Sequence, residues 1–169
     1  MLNMPDNPYP DRGGVLTSLD GKTQIRLPLG WSQASDLSDN AALQGKNEFT
    51  GAYFIVIAES RQDLHGWNLE RHSRGTIGKL ISKLLFPEVT GPCEIIVNGY
   101  PGLQYEFAGA EYNGFVGKYL HTTLETPTQY IQVLMWAYQS TYSSNRASFD
   151  AILQSIKESR VSQKSQTAG

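Results

Sequence analysis

Two apolar-rich runs within residues 115–137, separated by one proline-bearing break, constrain this chain more than any other feature. The first run, Phe115-Val116-Gly117-Lys118-Tyr119-Leu120-His121-Thr122-Thr123-Leu124, puts Phe115, Tyr119, His121 and Thr123 on one face of a strand. Val116, Lys118, Leu120, Thr122 and Leu124 fall on the other. The second run, Tyr130-Ile131-Gln132-Val133-Leu134-Met135-Trp136-Ala137, is nearly continuous and rich in β-branched and aromatic residues. Such a run suits a strand that is covered on both faces. Between them, Glu125-Thr126-Pro127-Thr128 has turn chemistry, because proline fixes φ and gives no ladder hydrogen bond. The pair predicts a long antiparallel hairpin at the centre of a sheet.

The rest of the chain supplies the neighbours of that hairpin. Residues 1–14 hold three prolines and Gly13-Gly14 and read as a flexible arm. Strands are expected at 15–19 and 23–27 about an Asp20-Gly21 turn, with Pro28-Leu29-Gly30-Trp31 ending the second. Residues 32–50 read as a loop with a short irregular strand near 42–44, and 53–58 as a buried strand. From 64 to 85 the period changes: Ile77, Leu80, Ile81, Leu84 and Leu85 stand at helical spacing, with Pro87 just beyond. Gly75 and Gly78 leave open one helix with a soft middle or two short ones. Strands follow at 94–97 and 103–108, then an Asn113-Gly114 turn into the central hairpin. A second helix is expected to start at Ser143 or Ser144 and to carry Phe149, Ile152, Leu153 and Ile156 on one stripe. The polar residues 160–169 read as a disordered tail.

Short links within the meander demand antiparallel neighbours. Strands that are apolar on both faces need a layer on each side. The fold class expected is therefore α+β: an antiparallel sheet of about six to seven strands with helices on both faces, formed by residues 15–159 as one domain.

Three short stretches add a resemblance. Leu27-Pro28-Leu29-Gly30-Trp31, Val97-Asn98-Gly99-Tyr100-Pro101-Gly102 and Ile152-Leu153-Gln154-Ser155-Ile156-Lys157 each resemble a turn or closing-helix motif of the PsbP-like fold. In the last of them Ile156 stands where phenylalanine is usual. That fold is shared by the extrinsic photosystem II PsbP proteins, the Ran-binding Mog-type proteins and many bacterial domains. The resemblance implies a binding or assembly role. Many bacterial relatives are exported or lipid-anchored, whereas this sequence shows no export signal and no lipobox cysteine. A cytoplasmic protein is the expectation, with export left open if the chain is a trimmed piece.

Composition narrows the functions. A net charge of −2 gives no global pull towards nucleic acid or an anionic membrane. Cys93 is the single cysteine, which rules out an internal disulfide and any multi-cysteine metal site. No apolar run approaches the roughly 20 residues of a membrane span. Phosphate-binding loops, dinucleotide fingerprints, nucleophile elbows and metalloprotease helices are all missing from the sequence. His65 and His72 stand seven residues apart, so a zinc site would need a third ligand such as Asp63 or Glu70. They read instead as structural or surface residues, and His121 as a hydrogen-bonded sheet residue. Cys93 lacks a neighbouring base and reads as inert. Glu94, Glu106, Glu111 and Glu125 read as solvated charge rather than as an acid–base pair. The expectation is a protein that is not an enzyme and uses no cofactor.

Two surfaces remain as candidates for a protein partner. One is the basic first helix, where Arg71, Arg74, Lys79 and Lys83 accompany Trp67. The other is a tyrosine-rich sheet face represented by Tyr105 and Tyr119. The leading reading is a protein-binding or assembly module. The alternatives are a small-molecule binder or weak hydrolase with a pocket between helix and sheet, and a chaperone-like binder of a partner helix.

Overall fold

A computed structural model describes residues 13–159. In chain order these form β1 (Gly14–Thr17), β2 (Thr23–Leu27), β3 (Ser32–Gln33), β4 (Leu43–Asn47), β5 (Ala52–Ser60), α1 (Leu69–Ile81), β6 (Leu85–Val97), β7 (Tyr100–Ala110), β8 (Val116–Glu125), β9 (Gln129–Tyr138), α2 (Tyr142–Gln154) and β10 (Lys157–Glu158). The arm expected before residue 13 and the tail expected after 159 lie outside the described residues. Gly14, assigned to the arm by sequence, already opens β1.

The central hairpin forms as expected, with Leu120 opposite Met135 and Leu124 opposite Ile131. It sits inside a seven-stranded antiparallel sheet of order β3-β4-β5-β9-β8-β7-β6, and a smaller sheet has the order β1-β2-β10. The protein is an α+β fold with a layer on each face of the large sheet. Side-chain alternation along β5, β8 and β9 builds two cores. On one face Phe54, Leu120, Leu124, Ile131, Val133 and Met135 meet Phe149, Ile152 and Leu153 of α2, together with Ile25 and Leu27 of the small sheet. Trp31 closes this core, its ring 5.7 Å from Phe54 and 6.1 Å from Phe149. Each such side chain withdrawn from water contributes about 1.5–3 kcal/mol. On the opposite face Ile77, Leu80, Ile81 and Leu84 pack on Tyr105, Phe107 and Tyr119.

The first helix differs from expectation at both ends. Asn68 caps it by accepting a hydrogen bond from the Arg71 amide at 2.8 Å, so α1 starts at Leu69, five residues later than the change of period at 64 suggested. Residues Arg61–Asp63 form a short 3-10 turn instead. The helix ends at Ile81, and Leu85 belongs to β6, with Pro87 inside that strand rather than past a helix. Proline disfavours helical backbone in the residue before it, and Phe86 takes φ 50°. Leu84 still reaches the sheet, where it packs against the bare Cα of Gly109: a Cβ there would lie 3.0 Å from Leu84 Cβ. Gly75 and Gly78 are both accommodated within one continuous helix.

Three further boundaries move. β6 and β7 are longer than 94–97 and 103–108 because a two-residue Asn98-Gly99 turn joins them, both residues with positive φ. β6 is an outer strand with little burial until Val97, so its sequence carries no alternation to read. Thr141, not Ser143 or Ser144, occupies the N-cap position of α2, and its side chain makes no capping bond.

Candidate functional site

The site develops where β5 hands over to α1. Ser60 caps the 3-10 turn, and Arg61 then staples the connection to the β8–β9 turn. The Arg61 amide donates to the Thr128 carbonyl at 2.9 Å. Its guanidinium donates to the carbonyls of Thr126 and Pro127 at 2.9 and 3.2 Å, and pairs with Glu125 at 3.3 Å. Tyr130 completes the tie by donating its hydroxyl to the Trp67 carbonyl at 3.0 Å.

These anchors assemble a layered stack of rings and cations. Arg61 lies over the Tyr130 ring at 5.8 Å. His72 stacks on Tyr130 at 4.9 Å, and Trp67 meets the His72 edge at 5.9 Å. Arg71 covers Trp67 at 4.8 Å. Trp67 is 38% exposed, held upright between a buried histidine and an exposed guanidinium. It is also the wall between two clefts. An inner one of about 1050 Å³ is lined by Lys22, Arg61, His65, Thr128, Tyr130 and Glu158, among others. An outer one of about 520 Å³ is lined by Trp67, Asn68, Glu70, Arg71, Arg74 and Gly75.

Beneath α1 a polar chain supports the stack. His72 Nε2 lies 3.0 Å from the Glu59 carboxylate, a favourable contact only with the proton on that nitrogen. Gln132 donates its amide to the same oxygen at 3.0 Å, which turns its carbonyl towards His121 Nε2 at 3.4 Å. His121 is fully buried. That burial, reinforced by the nearby His72 and opposed by the Gln132 hydrogen bond, pushes its imidazole down to about 4. The Nδ1 atoms of both rings and the hydroxyls of Ser73 and Thr123 are buried without a hydrogen-bond partner. Among the described residues, therefore, no hydroxyl engages either imidazole and no serine–histidine relay is assembled.

The seven residues expected to bind a partner separate into three groups. Trp67, Arg71 and Arg74 converge on the outer cleft, with Arg74 paired to Glu70. Lys79 and Lys83 lie further along, about 12 Å or more beyond Arg71 at 1.5 Å per residue. Tyr105 and Tyr119 are buried under α1. This corrects the expectation of an exposed tyrosine face: alternation placed these residues on one side of the sheet but did not say that α1 covers it. Tyr119 is instead a structural ligand, donating to Glu111 at 2.9 Å.

Among the other candidates, His65 lines the inner cleft while His72 is buried, so the two do not converge. Among the described residues no group of three histidine, cysteine or acidic side chains is arranged to hold a metal ion. Cys93 is exposed on β6. Of the four carboxylates read as solvated, Glu106 pairs with Arg146 at 3.0 Å, Glu125 with Arg61, and Glu111 with Tyr119. These three are structural ties. Arg61, Glu59 and Gln132 were not foreseen. Their partners stand 11 to 73 residues away, so no local pattern announces them.

No protein-family model and no curated protein matches this chain. Solved structures do match across nearly all of it. PsbP (CyanoP) from Synechocystis sp. PCC 6803 has a TM-score of 0.64 at 11% identity, over 94% of this chain and 99% of that one. LpqN, involved in cell envelope biogenesis of Mycobacterium tuberculosis, has a TM-score of 0.64 at 12% identity, over 89% and 87%. The Ran-binding protein Mog1p of Saccharomyces cerevisiae has a TM-score of 0.57 at 11% identity, over 86% and 94%. With the sheet order, the two helix layers and these matches together, the fold of this chain is the PsbP-like fold.

Proposed function

We propose that this chain is a non-enzymatic protein-binding module, and that its docking surface is the Trp67 end of α1. The carrying observation is the half-exposed Trp67, buttressed on one side by His72 and Tyr130 and stacked by Arg71 on the other. Binding hot spots concentrate tryptophan, tyrosine and arginine on rigid supports beside a small pocket. Arg71 and Arg74 add positive charge beside one acid, Glu70, and favour an acidic partner segment that sets an apolar group in the outer cleft. The Ran-binding protein Mog1p, which shares the fold, supplies an analogy at the level of fold only.

The test is affinity purification of the tagged protein from its own cells, with wild type, Trp67→Ala and the double variant R71E/R74E in parallel. A reproducible partner that both variants lose supports the assignment. Unchanged capture by both removes it.

The inner cleft supports a second reading, a small-molecule site, because its volume reaches that of ligand pockets. Against it, the Arg61 guanidinium already serves two carbonyls and Glu125, and Glu158 is held by the hydroxyls of Thr126 and Thr128. The side chains of Lys22, Gln62 and His65 are the polar groups left to meet a ligand. A metabolite library that raises the melting temperature in proportion to concentration would favour this reading.

A further inference from the structure

The end of the large sheet farthest from Trp67 carries a row of exposed apolar side chains that neither core uses. Strand register brings five chain segments to that end: Ala52 pairs with Ala137, Gly117 with Tyr138, and Ala110 with both Val116 and Leu85. The β2–β3 turn joins them, since Gly30 lies against Asn47. From these segments project Leu29, Phe49, Tyr138, Tyr112 and Phe86, of which Phe49 is 81%, Tyr112 79% and Phe86 91% exposed. At its middle the Tyr138 ring lies 4.9 Å from Phe115, which packs in turn against the core under α1. Among the apolar tips stand the neutral Thr50, Asn113, Ser82 and Gln139, together with two acids, Glu48 and Glu111. The two clefts around Trp67 lie about 27 Å away along β9, at 3.4 Å per residue from Tyr130 to Tyr138.

Shape and charge select among occupants. Each apolar group sits at the tip of a separate turn or strand end, and projecting tips offer no groove for a peptide or helix. Single Phe, Leu and Tyr side chains between polar turn residues suit a lipid interface. There the rings enter the acyl boundary while the turn backbone stays with water and headgroups. The rim favours an anionic surface on the α1 side. Lys79 and Lys83 are exposed there and form no ion pair among the described residues, whereas Glu48 is paired with Lys46 and Glu111 accepts from Tyr119. Glu88 is the exposed acid that remains near Phe86. Among the described residues no helix is long and apolar enough to cross a membrane, so attachment through this end is peripheral.

We propose that this end of the sheet is a membrane-docking surface that inserts its apolar tips into an anionic lipid bilayer. The proposal uses residues distinct from the Trp67 surface, and either can fail without the other. The experiment is vesicle flotation of the full chain with phosphatidylcholine alone and with phosphatidylcholine containing one quarter phosphatidylglycerol. Wild type should float with the anionic vesicles, and F49S/F86S should weaken binding at least about tenfold. K79E/K83E should remove the preference for anionic lipid, and W67A should bind as wild type. A Phe49→Trp variant should be quenched by brominated acyl chains, which reads insertion without relying on loss of binding. Absence of wild-type flotation, binding unchanged in F49S/F86S, or an unquenched Phe49→Trp would overturn the proposal. So would a concentration-dependent dimer, seen by light scattering, that F49S/F86S abolishes, because a second copy would then cover the row.

Discussion

Acidification should destabilise the fold through His121. In the folded protein burial pushes this imidazole down to about 4, against an unfolded value near 6.5. Between those values the unfolded chain binds a proton that the native state refuses, so stability falls as pH falls. The structural reason is local. A second proton would go to Nδ1, which has no acceptor, in a chamber already holding His72, Gln132 and Thr123. Linkage arithmetic gives a loss of about 0.8 kcal/mol at pH 6 and about 2 kcal/mol at pH 5, approaching about 3 kcal/mol below pH 4. Urea denaturation of wild type and His121→Gln at pH 7, 6 and 5 measures this directly. Whatever the substitution costs at pH 7, the difference between the two proteins should shift in the variant's favour by about these amounts on acidification. Every other titrating group is common to both and cancels. Parallel pH profiles would refute the reasoning and would mean that water or a rearranged α1 solvates His121.

Other perturbations follow from the same structure. Phe149→Ala empties a fully buried ring position between Trp31 and Tyr142, and should cost about 3–5 kcal/mol by chemical denaturation. Arg61→Ala removes two hydrogen bonds to carbonyls of the β8–β9 turn, and should cost about 1–2 kcal/mol. Its partly exposed ion pair with Glu125 adds little. Amide exchange should quicken around Thr126 and Thr128 in that variant, while the α2 core keeps its protection.

Legibility in the sequence followed the physics of each element. The central hairpin was readable because β8 and β9 are covered on both faces and a proline marks their turn. β6 was readable only in its last four residues, because an outer strand leaves most of its side chains in water and needs no pattern. Leu85 imitated a helical position by spacing alone, and Pro87 decided the matter. Of the candidate site, the sequence offered Trp67, Arg71 and Arg74, and the structure places them around one cleft, Trp67 just before α1 and the two arginines on it. The features that make Trp67 rigid were not legible, because Tyr130 and Glu125 come to its support from a distant part of the chain. Tyr105 and Tyr119 illustrate the converse: a strand pattern assigns a face, and only the packing of α1 tells whether that face meets water.

The measurement closest to the central claim is a binding titration. Once affinity purification has supplied a partner, its affinity for wild type, Trp67→Ala and R71E/R74E can be compared by calorimetry at two salt concentrations. Loss of at least about tenfold in affinity for each variant is predicted, with salt weakening wild type more than R71E/R74E. Equal affinities across the three proteins would contradict the account and move the docking surface away from the Trp67 end of α1.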